Sequence, residues 1–200
     1  WRAAGLWQDA RAEVEFPDSA EPSIDEILEA RRKQFERKRR HEEQRKLIPI
    51  SIKTPGPIGI LFFGDPHLDD DGTDIAAIER DLQLCRDSEA IFGVCLGDVT
   101  NNWVGRLERL YAEQNTTSRQ AWLLAEWFCT YIPWLFFLGG NHDAWKQGNE
   151  ILRGFLRGQL FEADECRVQL RFPGGRTVNV NARHNWPGHS MWNVAHGQGK

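Results

Sequence analysis

The sequence predicts an α/β fold with a mixed sheet, preceded by a charged helix. Three observations carry this reading. Through the middle of the chain, short apolar runs alternate with amphipathic stretches, the pattern of parallel βαβ units. Near the end the pattern changes to strict alternation around a turn, which marks an antiparallel hairpin. Toward the start, one stretch carries the helical period but is almost wholly charged. The 200 residues, 40% hydrophobic and 27% charged, suffice for one domain core and a small appended element.

Residues 1–22 show no sustained period and include "FPDSAEP", a loose lead-in. "PSIDEILEARRKQFERKRRHEEQRKL" then opens on a capping box, Ser23 with Glu26 three residues on. Ile24, Ile27, Leu28 and Phe35 form a short apolar stripe, and Glu36 with Arg40 suits a solvated helix face. "IPISIKTPGPIG" is interrupted by Pro and Gly and reads as a connector. The expected division is therefore 1–49 for the lead-in and basic helix and 50–200 for the α/β domain.

Residues 58–63 read as a buried strand. Ile75, Ile78, Leu82 and Cys85 fall on one helical face. Residues 90–96 form a second buried strand and "SRQAWLLAEWFCTYI" a second helix. A third strand spans 133–138, followed by a helix near 149–161. "RVQLRF" and "RTVNVNA", joined through "PGG", make the terminal hairpin.

Composition narrows the function classes. No run of 18 or more apolar residues exists, so no membrane span is expected. The first ten residues, "WRAAGLWQDA", lack the apolar core of a signal peptide and an initiator Met. Cys85, Cys95, Cys129 and Cys166 contain no CxxC pair and sit among apolar residues, which predicts reduced core thiols in a cytoplasmic protein. The net charge of −4 is segregated. Residues 31–46 hold nine Lys or Arg against three Glu, and everything else is strongly acidic. An acidic body receives phosphate poorly unless divalent cations are present.

The candidate chemistry lies where each apolar run ends. Asp65 and His67, Asp98, then Asn141 with His142 follow the three predicted strands, and His184 follows the hairpin. Functional crevices of α/β sheets open at such carboxyl ends. Pro66 predicts an extended backbone at Asp65, which would turn Asp65 and His67 to one side. Mixed Asp, His and Asn donors suit Mn, Fe or Zn better than calcium. A calcium loop starting at His67 fails because its twelfth position is Ile78. Asp69, Asp70 and Asp71 are then expected in a solvated loop. Of the nine Trp, Trp122, Trp127 and Trp134 fall in apolar periodic segments and are expected in the core. Trp103, Trp145 and Trp186 lie close in sequence to the candidate ligands, as rim packing or as platforms for a base.

"GDPHLD", "GDVTN" and "GGNHD", with a strand-terminal His in "NARH", resemble the calcineurin-like metallophosphoesterase family over residues 58 to about 185. The resemblance implies a sheet sandwich flanked by helices and two divalent cations. It implies that Asp65 and His67 bind the first, Asp98 bridges both, and Asn141 and His184 bind the second. It further implies His142 as the acid for the leaving oxygen, oriented by Asp143, with Asn101 steadying the site. The family's nucleophile is a hydroxide held by the metal pair, with Mn the expected metal and Fe or Zn alternatives.

The family also supplies a Gly-His-x-His pair, whereas this chain has "GHSM" at 188–191 and an unassigned His196. The expectation is that the pair lies beyond Lys200. The expected reaction is phosphoester hydrolysis, with a nuclease-like diester substrate favoured by the basic run, including Arg37, Lys38, Arg39 and Arg40 as nucleic-acid contacts. A protein or small-molecule phosphomonoesterase and a non-catalytic nucleic-acid scaffold are the alternatives.

Overall fold

The computed structural model describes residues 22–44 and 47–185. The chain divides into two compact units, Trp1–Gln44 and Arg45–Lys200. In the first, helix α1 spans Ile24–Gln44. Its capping box forms as the sequence predicts. The Ser23 N–H donates to Glu26 Oε2 at 2.7 Å, and the Glu26 N–H donates to Ser23 Oγ at 3.3 Å. Every residue from Ile24 to Arg40 is exposed, and Phe35 shows 66% of its surface. The exposed Glu36–Arg40 pair, at 3.8 Å, contributes little to its stability.

The second unit contains two sheets. β2 (Gly59–Phe63), β3 (Ile91–Cys95), β4 (Trp134–Leu138) and β5 (Phe161–Glu162) lie side by side in that order, all parallel. α2 (Ile75–Asp87), a 3-10 helix (Gly105–Ala112), α3 (Ser118–Tyr131) and α4 (Gly148–Leu156) fill the intervals. The other sheet has the order β1 (Ile48–Ser51), β6 (Glu165–Arg171), β7 (Thr177–Arg183). β1 runs parallel to β6, and β6 pairs with β7 as the expected antiparallel hairpin.

The stretch read as a connector thus holds a strand. β1 escapes the usual objection to Pro49 because it is an edge strand, where a missing N–H need not break a ladder on both sides. The helix expected to reach residue 161 stops at Leu156 instead. Arg157 and Gly158 both take positive φ, 46° and 87°, and turn the chain into β5.

Two cores make this a sandwich flanked by helices. One face of the larger sheet packs Phe63, Cys95 and Phe137 against Leu82, Phe128, Cys129, Leu152 and Leu156 from the helices. Its other face packs Val94, Phe136 and Leu138 against Cys166, Val168, Leu170 and Ala182. The alternation in β6 follows directly, with Cys166, Val168 and Leu170 inward and Glu165, Arg167 and Arg171 outward. Phe128, Phe136 and Phe137 are almost wholly buried, each worth roughly 1.5–3 kcal/mol of transfer free energy. Trp134 joins this core, while Trp122 and Trp127 are half-buried against it. All four cysteines are buried and free. Among the described residues, no helix is long and apolar enough to cross a membrane.

Candidate functional site

Burial of the parallel strands on both faces leaves their carboxyl ends as the place where polar side chains can gather. The segments after β2 and β3 run beside each other. The His67 N–H donates to the Asp98 carbonyl at 3.0 Å, and the Leu68 N–H to the Val99 carbonyl at 2.9 Å. Asp65, His67 and Asp98 all have left-handed backbones, with φ of 46°, 37° and 55°. The extended Asp65 expected from Pro66 is therefore not found. Such φ values cost non-glycine residues energy and persist where surrounding bonds impose them. The turns after β3 and β4 also cross closely. A Cβ on Gly97, at φ 103°, would come within 2.5 Å of the Gly140 nitrogen, so two bare backbones meet there.

Asp143 locks that crossing. Its side chain is fully buried, and it accepts three peptide N–H bonds. Oδ2 receives those of Asp98 at 2.7 Å and Gly140 at 2.8 Å, and Oδ1 that of Val99 at 3.2 Å. Burial pushes its pKa up to about 6 against the downward pull of those donors. The expectation that Asp143 orients the His142 imidazole is corrected here. Its oxygens are engaged by backbone, and the His142 Nδ1 instead meets the Asn101 carbonyl at 2.6 Å.

Asp98 stands at the centre of the candidate ligands, 4% exposed. Its Oδ1 accepts the His142 N–H at 2.8 Å. Its Oδ2 lies 3.8 Å from His67 Nε2 and 3.4 Å from His184 Nε2. Asn141 Oδ1 is 2.9 Å from the same His184 nitrogen. The Leu96 carbonyl lies 2.8 Å from His184 Nδ1, which suits an Nδ1–H donor and an Nε2 that faces Asp98. Donor atoms of Asp65, His67 and Asp98 all lie within 4.8 Å of one another. Two donors at about 2.1 Å from one cation stand no more than about 4.2 Å apart. The His67–Asp98, His184–Asp98 and Asn141–His184 separations meet that limit, so this oxygen and nitrogen set fits a divalent cation. Without a cation, the Asp98 carboxylate holds His184 up to about 9. Burial alone would raise Asp98, but bonds from His184 and the His142 N–H bring it below the usual carboxylate range.

A model of the calcineurin-like phosphoesterase family matches residues 58–196. The chain belongs to that family. No curated protein and no solved structure matches it. Membership makes the chain a metal-dependent phosphoester hydrolase, and Asp65, His67 and Asp98 form a group that could hold a metal ion.

In this phosphoesterase the His142 ring is enclosed by aromatic neighbours. Trp145 is tilted against it with centroids 4.3 Å apart, Trp103 meets it at 5.2 Å and His67 at 5.0 Å. The side chain of Asn101 reaches Gln114 at 3.4 Å, so its bond to His142 comes from its backbone. Two residues have roles that the sequence reading does not assign them, Asn102 and Asp69. Asn102 donates from Nδ2 to the His142 and Trp145 carbonyls, at 2.9 and 3.0 Å, and fastens the loop that carries His142. Asp69, expected in a solvated loop, is fully buried and accepts the Asn101 N–H at 2.7 Å. Its neighbours Asp70 and Asp71 are exposed as expected. Arg37, Lys38, Arg39 and Arg40 lie on α1, in the first unit. Trp186, the "GHSM" stretch and His196 lie outside the described residues.

Proposed function

We propose that this phosphoesterase is a two-cation phosphodiesterase of the cytoplasm, acting on nucleic acid with Mn as its working metal. The observation that carries the dinuclear reading is the position of Asp98 Oδ2 between two imidazole nitrogens, those of His67 and His184. Asp65, His67 and Asp98 would hold one cation, and Asp98, Asn141 and His184 the other. One shared carboxylate is what two ions about 3.5–4 Å apart require. The mixed oxygen and imidazole donors suit Mn, and also Fe or Zn.

Such cations supply Lewis-acid polarisation of a phosphoryl oxygen and make a water acidic enough to attack at neutral pH. The chain's own residues supply the rest. With Nδ1 of His142 tied to the Asn101 carbonyl, Nε2 is the nitrogen free to hold a proton for the leaving oxygen. Asn102 and Asp98 hold the backbone of His142 from both sides. Trp103 and Trp145 crowd the imidazole and limit its access to water.

Two observations support a nucleic-acid diester over other phosphoesters. The exposed Arg37, Lys38, Arg39 and Arg40 suit a phosphate backbone, and the half-buried Trp103 and Trp145 can stack on a base beside the acid. The four free, buried thiols support a reducing compartment. In this reading the first unit is an accessory element and the second, which includes β1, is the hydrolase, so the boundary falls before β1 and not at residue 49.

The test is hydrolysis of single-stranded DNA, duplex DNA, RNA, a cyclic nucleotide and a generic monoester, each with Mn. Preference for a polynucleotide supports the proposal. Turnover of the monoester alone would replace it with a phosphomonoesterase.

A further inference from the structure

We infer that Asp69 is a positioning residue for His142, acting through the backbone of Asn101. The inference rests on the reading of His142 as the acid. Asp69 has no exposed surface, and its Oδ1 accepts the Asn101 N–H at 2.7 Å. The carbonyl of that same Asn101 lies 2.6 Å from His142 Nδ1. One residue thus joins a buried carboxylate on the β2 loop to the imidazole on the β4 loop. Asn101 is buried, and among the described residues its side chain makes only the 3.4 Å hydrogen bond to Gln114, so Asp69 is the partner that fixes its peptide N–H.

Burying a carboxylate for a single peptide bond is a poor way to gain stability, because desolvation opposes it and the bond offsets only part of that cost. The second oxygen of Asp69 finds no partner among the described residues, so the burial is not offset there either. What the residue does provide is direction. Without it the Asn101 N–H would lie buried and unpaired, and the residue would turn toward another acceptor. The carbonyl would then move off His142, and with it the bond that fixes Nδ1 as the protonated nitrogen and Nε2 as the one facing substrate. The next residue, Asn102, already sits at a left-handed φ of 40°, so little slack remains to absorb the change.

Asp69→Asn keeps an oxygen acceptor for the Asn101 N–H, whereas Asp69→Ala and the similarly sized Asp69→Leu remove it. Zinc-loaded protein of each variant is compared with the parent and with His142→Ala. Metal content, the tautomer of His142 by nitrogen NMR, and turnover of a dinucleotide and of a nitrophenyl diester are measured. The expected result is that Ala and Leu variants retain metal and lose the single Nδ1–H tautomer. They should also lose roughly 10²-fold on the dinucleotide, as a displaced catalytic group does, and much less on the nitrophenyl ester. The Asn variant should keep the parent's tautomer and leaving-group dependence. An unchanged tautomer in whichever of the Ala and Leu variants folds overturns the inference, as does an equal loss on both substrates. If His142→Ala itself slows both substrates equally, the acid reading fails, and the tautomer measurement still decides the role of Asp69.

Discussion

The Asp143 carboxylate accepts the peptide N–H of Asp98 at 2.7 Å, across 45 residues of sequence. The same oxygen takes the Gly140 N–H at 2.8 Å, so the turns after β3 and β4 are held by one buried group. Asp98 projects its side chain from the turn so fixed. Asp143→Ala is therefore expected to cost roughly 2–4 kcal/mol of stability, since buried N–H groups lose a charged acceptor. Asp143→Asn should also be damaging, because both oxygens accept bonds and an amide must turn its NH₂ toward one donor. Urea unfolding of the three proteins measures this. An Asn variant as stable as the parent would contradict the clamp.

The pH dependence of the metal-free protein follows from His184. Asp98 raises its folded pKa to about 9, above the ordinary value of an imidazole. The stability this contributes is complete below the unfolded pKa, about 6.5, and is lost as pH rises through the folded one. Metal-free protein should accordingly become less stable between pH 6.5 and 8, below the range where Cys95, Cys129 and Cys166, kept protonated by burial, add a decline of their own. Asp143, raised to about 6, has already ionised over most of that window and adds little to the slope. Added zinc should remove the decline, because a cation takes the place of the proton at Nε2. Unfolding curves at the two pH values, with chelator and with zinc, test it, and a flat profile in chelator would contradict the prediction.

Helix α1 is testable without reference to the metal centre. Replacing Arg37, Lys38, Arg39 and Arg40 by Gln should weaken nucleic-acid binding alike for all sequences. It should also flatten the slope of log affinity against log salt, by up to about 0.9 for each duplex phosphate that is no longer neutralised. The capping box at Ser23 and Glu26 is untouched, so helicity should remain. An unchanged affinity and slope would leave α1 a solvated helix.

The candidate ligands were legible because each follows an apolar run whose burial was evident, as Phe63, Cys95 and Leu138 show. Where the strands go, Asp65, Asp98 and Asn141 must follow. The hairpin was legible from the alternation of Cys166, Val168 and Leu170. What local sequence could not supply was partnership across the fold. Asp69 stands in a run of three acids before Gly72 and resembles a solvated turn until the Asn101 N–H, 32 residues away, is found beside it. Asp143 lies next to His142 in sequence, yet its oxygens turn to the β3 loop. The preference Pro66 imposes on Asp65 lost to the bonds that bind residues 67 and 68 to Asp98 and Val99. β1 was hidden by Pro49, because whether a strand is an edge is a property of the sheet.

The central claim is that Asp98 joins two cations in one working site. Mn titration of the metal-free protein, with bound metal counted while dinucleotide hydrolysis is followed, tests it most directly. Activity should rise with the second equivalent, and Asp98→Asn should lose metal and rate together, whereas Asn101→Ala should keep both cations. Full activity with a single cation, or two cations retained by Asp98→Asn, would contradict the claim.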